Sequence, residues 1–242
     1  MERIIVNNLS KSFKNNTRSK NFLARLVSPS IKEKKEKFCV LKDISLKVDE
    51  GEMLGIIGKN GSGKTTLLRL IAGIYEKDSG SIKLNGNLIS VINLFIGIED
   101  RFPMKENVYS LCTILGLRNK EIKKRYKQII EFAELKEFEG VELYKFSNGM
   151  IQRLIFSIIV HCDFDILLLD EVLEFGDESF KSKCIDKIQE LLKKGVSIIF
   201  VSHGLESIKN YCNRAVWIDD AVIKEQGEPS KVVDAYLNSL EK

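Results

Sequence analysis

Apolar and polar positions change period along the chain, and the changes mark out its elements. Residues 2 to 8 and 39 to 48 predict strands, the second with Val40, Leu41, Ile44, Leu46 and Val48 set among polar partners. Glu52 to Ile57 predicts a short buried strand, followed by a glycine-rich turn and a helix from about Lys64 to Ala72. From about Lys105 to Ser157 the spacing is helical. Asn119 to Leu135 puts Ile122, Tyr126, Ile129, Ile130 and Ala133 on one face, with Asn119 as the N-cap. Strands then return at Asp165 to Leu169 and Val196 to Ser202. Between them, Phe180 to Lys194 predicts a helix with Cys184, Ile185, Ile188, Leu191 and Leu192 inward, closed by Gly195. A last helix is predicted near Ser230 to Leu240. Strand-helix-strand units with continuously apolar strands imply a mostly parallel sheet covered on both faces, an α/β architecture.

Composition agrees with an ordinary folded protein. Of 242 residues 44% are hydrophobic, and Pro is confined to Pro29, Pro103 and Pro229. This length fits one domain, residues 1–242, carrying a helical insertion at about 95–158. The greasiest stretch, Leu154 to Val160, is far too short to span a bilayer. The opening residues lack the charged and apolar regions of a signal peptide, so a cytosolic location is expected. Cys39, Cys112, Cys162, Cys184 and Cys212 form no C-x-x-C pair and are expected as reduced thiols used as small apolar groups. The net charge of +4 is local. Residues 14–37 hold eight Lys/Arg against Glu33 and Glu36, a net +6, leaving −2 elsewhere, so no nucleic-acid partner is implied. This basic insert, with Phe22, Leu23, Leu26 and Val27 at helical spacing, reads as a loop with one or two amphipathic turns. It serves either as a solvated loop or as a contact for anionic head groups or a lipid-linked diphosphate.

Two motifs carry chemistry. Gly58-Lys59-Asn60-Gly61-Ser62-Gly63-Lys64-Thr65 satisfies G-x-x-x-x-G-K-[ST] between a predicted strand and a predicted helix. In such a loop, glycines let backbone N–H groups converge on phosphates at the positive end of a helix. Lys64 is expected to bridge the β- and γ-phosphates, Thr65 to ligate Mg²⁺, and Thr66 to reach the α-phosphate. The second motif, Ile166 to Leu169 followed by Asp170 and Glu171, is a buried strand ending in two carboxylates at the sheet edge where ligands bind. Asp170 suits Mg²⁺, and Glu171 suits polarising an attacking water.

With these motifs the chain resembles an ABC transporter nucleotide-binding domain over nearly its whole length. The resemblance implies a P-loop NTPase fold with antiparallel N-terminal strands and a helical subdomain. Phe146-Ser147-Asn148-Gly149-Met150 stands where the family has its LSGGQ-like signature, with Asn148 replacing a glycine and Met150 a glutamine. Asn148 is read as a mild change because Asn tolerates left-handed backbone. By resemblance, Ser147 and the Gly149 amide reach the γ-phosphate held by a second subunit, Asp177 crosses the dimer interface, and His203 contacts the γ-phosphate. His161 is left as structural. The family's usual Gln is absent from Ser90 to Ile98, with Asn93 or Glu99 as substitutes. The adenine-stacking aromatic is Phe13, with Phe38 as rival.

FSNGM, the missing Gln, Glu106-Asn107-Val108-Tyr109, Leu169 to Leu173 followed by Phe175-Gly176-Asp177, and Val201-Ser202-His203 together resemble the ATPase subunits that export O-antigen, capsule or teichoic-acid polymers. This implies a homodimer sandwiching two ATP and Mg²⁺. It also implies a separate multi-span permease docking near Phe102 to Tyr109 and peripheral attachment to the cytosolic membrane face. Some relatives add a C-terminal carbohydrate-binding domain, which is expected to be missing here because Lys242 follows soon after the last predicted helix. The rivals are the ATPase of another ABC transporter with different cargo, a soluble ABC ATPase acting on ribosomes and a non-hydrolysing switch. The ribosomal class carries two cassettes per chain. The intact Lys64, Asp170 and Glu171 speak against the switch.

Overall fold

A computed structural model of the chain describes residues 1–14, 37–91, 97–170 and 178–240. The order is β1 (Glu2–Lys14), β2 (Lys37–Asp49), β3 (Met53–Ile57), α1 (Lys64–Ile71), β4 (Ser79–Leu84), β5 (Leu88–Val91), α2 (Met104–Ile114), α3 (Asn119–Ala133), α4 (Asn148–Ile159), β6 (Ile166–Asp170), α5 (Glu178–Lys193), β7 (Ser197–Val201), α6 (Leu205–Tyr211), β8 (Arg214–Asp219), β9 (Val222–Gly227) and α7 (Pro229–Leu240).

Two sheets form. The larger has the order β5-β6-β7-β3-β8-β9, parallel except for β9, and the smaller is the antiparallel β2-β1-β4. β3 and β7 are buried at every position, so their side chains serve two cores. Met53, Ile57, Leu167, Leu169, Ile198 and Phe200 pack with α2 to α5 on one face. Leu54, Ile56, Leu168, Ile199 and Val201 pack on the other face with α1 and the antiparallel sheet. Fully burying one such side chain contributes roughly 1.5–3 kcal/mol, and this double burial holds the carboxyl edge of the larger sheet rigid.

The structure differs from the sequence reading in several places. β1 and β2 run further than expected, and their outer ends pair as Phe13 with Phe38 and Lys14 with Lys37. The two terminal lysines of the predicted basic loop therefore belong to strands, and residues 15–36 lie outside the described residues. Asn119 is the first helical residue of α3 rather than its cap. The Arg118 N–H donates to the Glu121 carboxylate at 2.7 Å instead. Ile185 and Leu192 are half-buried, while Phe180, Cys184, Ile188 and Leu191 form the inner stripe of α5. All five cysteines are free thiols, but Cys39 is exposed rather than used as a core group.

Candidate nucleotide site at the carboxyl edge of the larger sheet

The site grows out of strand register. Ile56 of β3 stands across from Val201 of β7, and Val201 stands across from Asp170 of β6, so three parallel strands end in one row. Two residues beyond Ile56 comes Gly58, and two beyond Val201 comes His203. Sequence-distant groups are thereby brought to one edge by main-chain pairing alone.

The loop from Gly58 to Gly63 is shaped by backbone that only glycine accepts. Gly58 has φ 149°, and a Cβ there would lie 2.1 Å from the Ile218 carbonyl oxygen. Gly63, the N-cap of α1, has φ 104°, and a Cβ would lie 2.8 Å from both the Val40 carbonyl and the Leu41 side chain. The loop then closes through Ser62 N–H donating to the Lys59 carbonyl at 3.1 Å. Lys64 is 6% exposed, and its ammonium donates to the Gly58 carbonyl at 2.8 Å and the Lys59 carbonyl at 3.0 Å. A buried cation costs several kcal/mol unless dipoles or an anion compensate it, and here the loop carbonyls face it.

Phe13, Val40, Asn60, Gly61, Gly63, Lys64, Thr65, Thr66 and His203 line one cavity of about 330 Å³. That lies at the low end of small-molecule clefts. It combines a cation, two hydroxyls, a helix N-terminus and an aromatic ring, the donor set that a nucleoside triphosphate needs. Ser62, part of the same loop, is buried, and its hydroxyl has no hydrogen-bond partner among the described residues. Of the two aromatic candidates only Phe13, 38% exposed, reaches the cavity. Phe38, 64% exposed, sits beside it across the strands. Val40 is a cavity residue the sequence reading missed; its only signal was its place in the β2 alternation.

For Mg²⁺ the available groups are the Thr65 hydroxyl at the cavity and the Asp170 carboxylate at the same sheet edge. Among the described residues no cluster of three or more His, Cys, Asp or Glu could hold a metal. Two oxygens, from Thr65 and Asp170, suit a cation that completes its shell from phosphate and water. Glu171, Asp177 and Asn93 lie outside the described residues. Glu99 is described: its backbone N–H donates to Asn107 Oδ1 at 2.8 Å. Asn107 Nδ2 in turn faces the carbonyls of Glu99, Phe102 and Pro103 at 3.0, 3.1 and 3.3 Å. Buried and polar, Asn107 fixes the 99–103 loop ahead of α2, a role the sequence reading did not assign.

Ser147 and Gly149 do not line the cavity. Ser147 caps α4, its hydroxyl accepting from the Met150 N–H at 3.2 Å, and Ser147 and Asn148 are exposed. Asn148 is the first helical residue and is not in the left-handed region, so its tolerance of that region is not what lets it replace a glycine. Gly149 has ordinary helical φ, and a Cβ would meet only the Ser147 hydroxyl at 3.8 Å. Nothing among the described residues requires glycine there. His161 lies instead in a cleft with Arg125, Asp163 and Lys187, its ring nitrogen 2.6 Å from the Ser157 carbonyl. Burial pushes its pKa down.

A family model described as ABC transporter matches residues 41–174, more than half of the chain. The chain belongs to this family. It is an ABC-type ATPase domain, the ATP-binding subunit of a transporter, and is homologous to the ATP-binding subunits of polysaccharide and teichoic-acid exporters. It is 41% identical over 207 residues to the O-antigen export system ATP-binding protein RfbB of Klebsiella pneumoniae, covering 86% of this chain and 84% of that one. It is 37% identical over 235 residues to the teichoic acids export ATP-binding protein TagH of Staphylococcus haemolyticus, covering 97% and 88%. A solved ATP-binding cassette, described as dimeric in a post-hydrolysis state with ADP and Pi, shares the fold with a TM-score of 0.75 at 19% identity, covering 93% of this chain and 98% of that one.

Proposed function

We propose that this subunit drives the export of a lipid-linked polysaccharide of O-antigen, capsule or teichoic-acid type, as a homodimer attached to the cytosolic face of a multi-span permease. The observation that carries the cargo class is the likeness to export proteins of two such polymers, each over more than four-fifths of both chains. Among the described residues no helix is long and apolar enough to cross a membrane, so the membrane path is assigned to the permease.

In this reading ATP lies with its base on Phe13 and its phosphates on the loop from Gly58 to Gly63. Lys64 neutralises the β- and γ-phosphates, while the backbone N–H groups of Asn60, Gly61 and Gly63 converge on them and the Ser62 N–H, held by the Lys59 carbonyl, keeps the loop closed. Thr66 reaches the α-phosphate. Thr65 and Asp170 would hold Mg²⁺, which when bound spreads the charge of the phosphates. Glu171 orients and deprotonates the attacking water, and His203 contacts the γ-phosphate. The exposed Ser147 hydroxyl and the first-turn amides of α4, including that of Gly149, complete the site of the opposite copy. Asp177 crosses the interface between copies. Gly149 fits this role because its missing side chain leaves room for a phosphate arriving from outside the chain. The loop fixed by Asn107, with Phe102 exposed on it, receives the permease.

The test is deletion of the coding sequence in the source cell with measurement of surface polymer. The reading expects polymer to accumulate inside and to be restored by the wild-type chain but not by Lys64→Met. Normal surface polymer in the deletion strain would refute the cargo.

A further inference from the structure

The base platform hangs at the far end of a long hairpin, yet it must stay at a fixed distance from the phosphate loop. Phe13 is the second-last residue of β1, beyond the part of the strand that packs on the core. The structure holds it from the side. Tyr75 meets the Phe13 ring edge-on, with centroids 5.5 Å apart and planes at 74°. The Tyr75 hydroxyl accepts from Arg69 Nη1 at 3.0 Å, and the Arg69 guanidinium lies 5.6 Å from the centre of the Tyr75 ring. The backbone N–H groups of Ile74 and Tyr75 both donate to the Arg69 carbonyl, at 2.8 and 3.2 Å. Arg69 belongs to α1, the helix that begins with Lys64, Thr65 and Thr66.

The same segment grips β1 beside Phe13. Lys11 Nζ donates to the Glu76 carbonyl at 2.6 Å and to Asp78 at 3.3 Å, and the Ser12 N–H donates to Asp78 at 2.8 Å. That backbone bond, followed by Lys11, lowers the Asp78 pKa. Residues 75–78 thus tie the phosphate-binding helix to the aromatic end of β1, with Tyr75 as the part that touches the ring.

We propose that Tyr75 is a positioning residue for the nucleotide base, acting through the edge of its ring to hold Phe13 over the cavity at the spacing α1 sets. The proposal rests on the reading of Phe13 as the base platform. An edge-on aromatic pair is a modest contact, so its loss should weaken ATP binding by roughly three- to tenfold. Chemistry at the phosphates should be left alone.

The experiment is a double-mutant cycle on the full chain, reading the ATP dissociation constant by titration calorimetry and kcat by phosphate release. Tyr75→Leu, which keeps apolar volume, should weaken ATP binding about three- to tenfold with kcat within about twofold of wild type. Tyr75→Phe, which keeps the ring, should stay within about twofold in both. In a Phe13→Ala background, Tyr75→Leu should add less than about twofold, because the ring it orients is gone. Wild-type affinity for Tyr75→Leu, a Tyr75→Phe variant as weak as Tyr75→Leu, or a full further loss in the Phe13→Ala background would each overturn the proposal. A Phe13→Ala variant that binds ATP as wild type would instead remove the base-platform reading itself.

Discussion

The Lys64 ammonium reaches back across its own loop to the Gly58 carbonyl oxygen, 2.8 Å away, and so lies folded into the cradle it is expected to serve. Charge-assisted hydrogen bonds to a ligand are worth roughly 1.5–3 kcal/mol each. Lys64→Met should therefore weaken ATP binding by at least about tenfold. Because the Gly58 and Lys59 carbonyls lose their donor as the buried charge is removed, the two effects oppose and the thermal midpoint should stay close to that of wild type. Calorimetric titration and a melting curve on the same sample check both halves.

Gly149 separates folding from function as well. Its φ is helical and a Cβ would find ordinary space, so Gly149→Asp should keep the fold. A carboxylate in the first turn of α4 also suits the helix dipole, by about 0.3–1 kcal/mol. An arriving γ-phosphate would meet that charge directly. The melting temperature should be unchanged or higher, while ATPase activity falls about tenfold or more. Full activity in the variant would mean that no phosphate approaches this helix end.

Asn107 is the reverse case, a buried side chain that serves the loop rather than the nucleotide. Asn107→Ala leaves the N–H of Glu99 and the carbonyls of Glu99, Phe102 and Pro103 without it. Each carbonyl keeps a backbone donor (the N–H groups of Phe102, Leu143 and Asn107), so the cost is the orphaned Glu99 N–H together with side-chain hydrogen bonds worth about 0.5–1.5 kcal/mol each. A loss of about 2 kcal/mol in denaturant unfolding is expected, with ATP affinity within about twofold of wild type.

His161 gives the chain a specific acid sensitivity. Burial holds its pKa below the usual 6.5, with Lys187 and Arg125 acting the same way and the Ser157 carbonyl and Glu190 opposing. The unfolded chain therefore binds the proton first as pH falls. The stability tied to neutral His161 is complete above pH 6.5 and declines as pH drops below that value. Urea midpoints measured from pH 7.5 down to about 5 should slope downward in wild type and more weakly in His161→Phe.

How much of this was legible in the sequence depended on whether the signal was local. β3, the glycine loop and α1 follow from adjacent residues, and so does β6 ending at Asp170. The extent of β1 and β2 was not local. Ile4 and Val6 are buried, and then Leu9 rather than residue 8, because Asn8 sits at φ 45° and shifts the register. The partner strand does the same at Asp43, φ 50°, between Leu41 and Ile44. Serine hydroxyls satisfy both irregular amides: Ser45 accepts from the Asn8 N–H and Ser10 from the Asp43 N–H. The break at Asn8 ends the period-two pattern of β1 early and hides the outer hairpin that carries Phe13. β4 was missed because Ser79 to Leu84 pairs by backbone with an exposed or half-buried face and no apolar run. The family resemblance put Phe13 ahead of Phe38, but that Phe13 lines the cavity is a matter of strand register, which no spacing along one strand supplies.

The central claim is that a nucleotide held by one copy is completed by the Ser147 helix end of another. Sedimentation velocity of the Glu171→Gln variant tests it most directly, with Mg-ATP, with Mg-ADP and with no nucleotide. The account predicts a dimer with Mg-ATP alone, and a monomer under every condition once Gly149→Asp is added. A Glu171→Gln chain that binds Mg-ATP tightly yet sediments as a monomer would contradict it.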